Sequence, residues 1–405
     1  MPEVSQTSAP TGAQFASLVR PDRLRDRLAE LVGVASENPP GNELKAALLV
    51  SRYCEELGLA TAAHECEPDR PSIVARWEGG DGPTVGYCSH IDVVPAGDHS
   101  LWEGDPFAAE VVDGRMHGRG TADAKGPVAA ALEAVTILME AGFAPTGTLE
   151  LELVSDEETM GFKGAGYLVD RGIISPDVAI VGEPTSLRVV HAQRGATWWR
   201  IATHGVAGHG SAPERGVNAV RHMAELVLRL EETVPDLSHR VLGGPSINVG
   251  TIQGGAKVNI VPASCVIEVD RRTIPDETAD DVRDQIERAI GLARKRFPDI
   301  RADVELSFFS RPFEVATDAP LVTTVAGAVG EVTGRDAELI GFRGASDARF
   351  LFEAGADVVV CGPGDITLAH TARESIDLDE LQRAAVVYAL AFARLLSPAD
   401  TPQLP

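Results

Sequence analysis

Apolar positions recur along the chain in two rhythms. "PDRLRDRLAELVGVAS", from Pro21, places Leu24, Leu28, Leu31 and Val32 on one face of a helix. "NELKAALLVSRYCEELG" reads as a second helix that stops at Gly58, and "AKGPVAAALEAVTILMEAG" as a third that ends at Gly142. Between them the apolar runs are short and strand-like: "SIVARW", "TVGYCSHIDVV", "TLELELVS" and "DVAIVGEP". Strands alternating with helices predict an α/β domain, a sheet covered by helices.

After about Val190 the texture changes. "GATWWRIATHG", "SINVGTIQGG" and "ASCVIEVDRR" read as strands, followed by another near Asp303 to Ser307. "NAVRHMAELVLRLEETV" and "DETADDVRDQIERAIGLARKRF" are amphipathic helices, the second with Val282, Ile286, Ala289, Ile290 and Ala293 on its apolar side. Two helices on a small antiparallel sheet make an inserted α+β domain. After about Pro312 the earlier alternation resumes, with "DVVVCGPGD" as a buried strand and "DLDELQRAAVVYALAFARLL" as a closing helix. The expected organisation is a larger domain in two parts, 14–190 and 312–396, interrupted by an inserted domain, 191–311. The first dozen residues and "SPADTPQLP" at the end read as loose tails.

Composition narrows the partners. The chain has 405 residues and a formal net charge of -24. A field of that sign repels phosphate backbones and anionic lipid, so neither nucleic acid nor a membrane surface is an expected partner. No apolar run reaches the roughly 20 residues that a membrane span needs. The five cysteines are widely spaced without a C-x-x-C pair, and the N-terminus lacks the regions of a signal peptide. A cytoplasmic protein with reduced thiols is the expectation.

The candidate chemistry sits where strands end. "TVGYCSHIDVVP" ends in His90 and Asp92, "GRGTADAKGP" carries Asp123 just before a helix, "LELVSDEE" ends in Glu157 and Glu158, and "VAIVGEPT" ends in Glu183. His370 in "ITLAHTARE" follows the strand "DVVVCGPGD" by a short loop. In open α/β sheets ligands bind beyond the carboxyl ends of the strands, so these groups are placed to converge. Singly, each has a bland reading as a surface turn or a structural histidine. Together they form an imidazole-and-carboxylate set without cysteine, suited to Zn²⁺ or a similar divalent ion. The set exceeds one tetrahedral site and fits two cations sharing a carboxylate. Residues two apart in an extended segment share a face, so Asp92 is placed to orient the ring of His90.

With these residues in place, the sequence resembles the co-catalytic zinc hydrolases that include acetylornithine deacetylase, succinyl-diaminopimelate desuccinylase, aminoacylase and glutamate carboxypeptidase. The resemblance runs from about Pro21 to Leu396, with "SHIDVVP", "GRGTADAKGP", "SDEETMG", "GEPT", "GVAGHGSAPERGVNA", "VDRRTIPDE" and "AHTARESI" in family order. It implies a zinc-peptidase-like catalytic domain, a mixed sheet with helices on both faces, and an inserted lid and dimerisation domain. It implies that His90, Asp123 and Glu183 hold one metal, and that Asp123, Glu158 and His370 hold the other, Zn²⁺ or else Co²⁺ or Mn²⁺. Asp92 would orient His90, Glu157 would be the general acid/base, and His209 of the inserted domain would donate to the oxyanion. Arg271, with Arg272 as the weaker candidate, would bind a substrate carboxylate. Asn259, Gly344 and Ser346 would lie against the substrate, although Ser346 or Asp347 could equally cap a helix.

The implied reaction is hydrolysis of a linear amide, removing the acyl group from an N-acylated amino acid in a cytoplasmic homodimer. Two alternatives stay open. The first is a dipeptidase or carboxypeptidase of the same family, and the second is a scaffold that keeps the fold without the chemistry. The adjacent glutamates separate enzyme from scaffold: Glu158→Ala should lose metal by elemental analysis, whereas Glu157→Ala should keep both metals and lose turnover.

Overall fold

The computed structural model describes residues 11–397. The expected tails lie outside the described residues except for their inner ends: Thr11 caps a short helix, Gly12–Ala16, whose Gly12 N–H donates to Glu331 at 2.5 Å. The described chain forms two compact units. One runs up to His191 and includes Val315–Ile340 and the chain from Ser346 onward; the other is Ala192–Glu314 with Gly341–Ala345.

The first unit is built on a mixed sheet. Its strands lie in the order Ala60–Glu65, Pro71–Glu78, Thr148–Val154, Thr84–His90, Val178–Val181, Asp357–Val360 and Val189–Gln193. Thr84–His90 runs parallel to both of its neighbours, and Asp357–Val360 parallel to Val178–Val181. Register levels their carboxyl ends: His90 stands opposite Val154, and Cys88 opposite Val181. The central strands are buried on both faces, as a helix-covered parallel sheet requires. Tyr87 points to one face, where its hydroxyl donates to the Pro127 carbonyl in the helix Lys125–Glu140 and its ring meets Tyr388 of Leu378–Leu395. Cys88, next in the strand, turns to the opposite face.

That opposite face is unexpectedly acidic. Glu150 and Glu152 alternate with leucines in "TLELELV" and are both buried. Arg76 on the neighbouring strand reaches Glu150 at 2.5 Å, while neither carboxyl oxygen of Glu152 has a partner among the described residues. Burial, and the adjacent Glu150, raise the Glu152 pKa well above the ordinary carboxylate value.

The second unit is a four-stranded antiparallel sheet in the order Ser246–Gly254, Ser264–Thr273, Gly195–His204 and Arg301–Ser310. The helices Ala219–Glu232 and Ala279–Arg294 pack Met223, Leu226, Ile286 and Ile290 against Trp199, Ile201, Ile267 and Val269. Strand alternation then decides the fate of two arginines. Cys265, Ile267 and Val269 line the packed face, and Arg271 continues that row, 1% exposed. Its guanidinium donates to Gln285 at 2.8 Å, to Glu277 at 2.5 Å and to the Arg272 carbonyl. Arg271, expected to read a substrate carboxylate, is therefore a buried cation with its donor fork engaged within this unit. Arg272 faces the other way, half-buried, beside Asp270 at 3.0 Å.

The two substitutions should separate accordingly. Arg271→Ala strands the buried Glu277 carboxylate and should lower unfolding free energy by about 3 kcal/mol, read from the urea midpoint. Arg272→Ala should change it by less than about 1 kcal/mol.

Candidate metal centre

The site begins where the strand Thr148–Val154 loses its pleat. Asp156 adopts the left-handed conformation at φ 73°, and Glu157–Thr159 forms one tight helical turn closed by Met160 and Gly161, also at positive φ. Asp156 holds the turn: its carboxylate accepts from Thr159 Oγ1 at 2.8 Å and Lys163 N at 3.0 Å, and meets Arg70 at 3.0 Å. Arg70 is itself anchored on buried Glu43. Glu157 and Glu158 consequently lie on a turn, where the rule that strand neighbours face apart no longer applies.

Five of the expected residues come together at the level strand ends. Asp123 sits between two imidazoles, Oδ1 at 3.1 Å from His90 Nε2 and Oδ2 at 3.2 Å from His370 Nε2. His370 Nε2 is also 3.1 Å from Glu158 Oε2, and His90 Nε2 is 4.0 Å from Glu183 Oε1. Ligand atoms of His90, Asp123 and Glu158 all fall within 4.8 Å of one another. Asp92 contributes in a different way than its carboxylate spacing suggested. Its main-chain carbonyl makes the short contact with His90 Nδ1, 2.9 Å, and its carboxylate stands at 3.5 Å. The carboxylate instead accepts from Asn38 Nδ2 at 2.8 Å and from the Glu158 N–H at 3.2 Å, so Asp92 braces His90 and Glu158 together.

The electrostatics fit a cation at the centre. His90 Nδ1 must donate to a carbonyl, so a neutral ring turns its Nε2 lone pair toward the oxygens of Asp123 and Glu183. That face-off of lone pairs calls for a proton or a metal ion between them. Burial opposes a charged His90, yet Asp123, Asp92 and Glu183 outweigh it and raise its pKa well above the ordinary value. Asp123 and Glu158 push His370 up to about 10. Burial raises Glu157, Glu158 and Glu183, and neighbouring carboxylates add to it: Glu183 and Glu158 for Glu157, Asp123 for Glu158, Asp123 and Glu158 for Glu183. Imidazole nitrogens and carboxylate oxygens converging without thiolates are the donor set of a divalent ion such as zinc.

Sequence reading passed over two contributors and gave a third, Asp347, only as a helix cap. Asn38 and Glu374 are buried polar residues bonded to Asp92 and to the Asp123 loop. Glu374 stands four residues after His370, a spacing that carried no signal by itself. Asp347 stands at the cap position of the helix Ala348–Glu353, but its side chain makes no capping bond. It is buried, neither carboxyl oxygen has a partner among the described residues, and Oδ1 lies where a Cβ on Gly161 would be, 2.0 Å away. The neighbouring Ser346 is fully buried.

The other expected residues belong to the second unit. His209 is exposed and pairs, through a short two-stranded ladder, with Ile260 beside Asn259, whose carbonyl accepts from Gly210 N at 2.8 Å. Ser211 N–H donates to His209 Nδ1 at 3.2 Å with Ser211 Oγ at 2.7 Å, so in the neutral ring the proton is on Nε2. Arg194 and Arg343 approach the Gly243 turn together, Nη2 of each within 3.7 Å of where a Gly243 Cβ would lie. Arg194 is further influenced by the charge of Arg272. Gly344 follows Arg343 in the segment Gly341–Ala345.

Comparison with known proteins adds an independent line. A model of peptidase family M20/M25/M40 matches residues 86–394. The chain is 31% identical over 328 residues to the succinyl-diaminopimelate desuccinylase of Hahella chejuensis, covering 78% of this chain and 84% of that protein. It is 32% identical over 339 residues to the acetylornithine deacetylase of Proteus mirabilis, covering 82% and 84%. In architecture it is similar to the aminopeptidase PepT of Bacillus cereus, with a TM-score of 0.78, 23% identity, and coverage of 94% of this chain and 100% of that one.

Asp347 gives the site a pH signature. Burial pushes its pKa up to about 7. The folded protein then binds a proton that the unfolded chain releases near pH 4, so stability falls as pH rises from about 4 to 7. Urea unfolding of the metal-free protein at pH 5 and pH 8 should show a smaller loss for Asp347→Asn than for wild type, the difference being about 2.5 kcal/mol at most.

Proposed function

This chain belongs to peptidase family M20/M25/M40, and from that premise we propose that it removes the acyl group from an N-acylated amino acid. It is a metal-dependent hydrolase of amide bonds, as its deacylase relatives and the family are. The observation that carries the finer reading is the Asp123 carboxylate shared between His90 and His370, each with a second carboxylate at hand. In this reading His90, Asp123 and Glu183 hold one divalent cation and Asp123, Glu158 and His370 the other, with zinc preferred and cobalt or manganese tolerated. When bound, such a pair lowers the pKa of water and polarises a carbonyl.

The chain's own groups do the rest. Asp92 and Asn38 fix the ring of His90 and the backbone of Glu158. Glu157, whose proton affinity burial raises, accepts the proton of the attacking water and returns it to the leaving amine. His209 offers Nε2–H to the developing oxyanion, its tautomer held by Ser211. With Arg271 engaged internally, Arg272 is the guanidinium proposed to read the substrate carboxylate. Arg194 and Arg343 add positive charge in the same unit. A cytoplasmic homodimer formed through the second unit is part of the proposal; the outer strand Ser246–Gly254, exposed along most of its length, supports it.

The higher identity to a deacetylase and a desuccinylase favours deacylase over dipeptidase, which stands as the second reading because peptidases share the fold. A screen of N-acetyl and N-succinyl amino acids against dipeptides, with zinc-loaded protein and released amine as the readout, tests the choice. Turnover of dipeptides alone would move the assignment to the second reading. Arg272→Ala should raise KM for the N-acyl substrate about 10-fold or more with a smaller change in kcat, the pattern of a lost binding contact.

A further inference from the structure

The loop from Gly118 to Asp123 carries amide groups that no helix or strand ladder pairs. Glu374, fully buried, fills its concave side. Oε1 accepts from the N–H groups of Gly120 at 2.9 Å, Ala122 at 3.1 Å and Asp123 at 3.2 Å. Oε2 accepts from the Arg119 guanidinium, which also lies 5.2 Å from the centroid of the Trp102 ring. The Glu374 main-chain carbonyl accepts from Gly118 N at 3.1 Å. Successive N–H groups turned inward on one carboxylate make an anion nest, here occupied by the protein itself.

The position of this nest matters. Glu374 lies four residues after His370 on one short loop, and it bonds the main chain of Asp123. Asp123 in turn places one oxygen toward His90 and the other toward His370. A displacement of Asp123 would alter both halves of the centre at once, whereas a displacement of Glu183 or His370 alters one. We propose that Glu374 is a positioning residue that sets the affinity of both cation sites together, by locking the Asp123 backbone to the His370 loop. This rests on the two-cation reading above. Glutamine at 374 keeps the shape but replaces one acceptor oxygen by an NH₂ donor, which then faces either the three amide N–H groups or Arg119.

Zinc titration of metal-stripped full-length protein against a chromophoric chelator, with elemental analysis of stoichiometry, tests the proposal. Glu374→Gln should raise the Kd of both sites in parallel, by about 10- to 100-fold, while His370→Ala should weaken chiefly one site. Urea unfolding of the metal-free forms separates positioning from scaffolding. A Gln variant that is less stable but binds two zinc ions with wild-type affinity overturns the proposal, as does a loss confined to one site. Should Glu374→Gln fail to fold, Arg119→Ala keeps the amide nest and removes the Oε2 partner together with the Trp102 ring contact. It should then give a smaller parallel weakening, and unchanged affinities would overturn the proposal equally. Wild-type protein that binds no divalent cation would instead overturn the two-cation reading on which the inference stands.

Discussion

The Asp123 carboxylate, held between the Nε2 atoms of His90 and His370, is the constraint around which the first unit is arranged. Like charges crowd it from Glu158 and Glu183, and burial removes the water that would screen them. Such a cluster persists only where its geometry is imposed from outside. The parallel register imposes it on one side by levelling the ends of Thr84–His90 and Thr148–Val154. Main-chain contacts impose it on the other: the Asp92 carbonyl on His90, and the Glu158 amide on the Asp92 carboxylate.

Acidity is distributed unevenly through this protein. Most of the -24 net charge needs no special account as solvated surface, but Glu150, Glu152 and Asp347 are buried in the first unit without full partners. Arg76 offsets one of them. Burial raises the proton affinity of the other two, and neither has a part in the proposed proton transfer. In the second unit the balance is reversed at the Gly243 turn, where Arg194 has no carboxylate within salt-bridge distance among the described residues and accepts compensation from the Leu242 and Gly244 carbonyls.

Much of this was legible in sequence because the relevant signals were periodic. Apolar runs located the strands, and polar residues at their ends gave His90, Asp123, Glu158, Glu183 and His370. What stayed hidden depended on which face a side chain takes. "TLELELV" reads as an alternating strand, yet both of its glutamates are inside, because helices cover the sheet on each side of Tyr87 and Cys88. The burial of Arg271 follows from strand alternation, since Cys265, Ile267 and Val269 mark its face as packed. Glu374 and the Asp92 carbonyl escaped for another reason. Their partners are backbone groups, and a main-chain N–H or C=O has the same chemistry at every position, so no residue letter announces it.

The level strand ends have a consequence for assembly. The groups that meet around Asp123 come from five separate stretches of chain, with His370 supplied only after the second unit has been traversed. A fragment that contains both imidazoles must run at least from His90 to His370, and so includes the whole of Ala192–Glu314. Any cation that this set holds is therefore bound by the completed first unit and not by the unfolded chain, so its binding free energy adds directly to the unit's stability by mass action. Occupancy of the centre and integrity of the fold are then two readings of a single equilibrium.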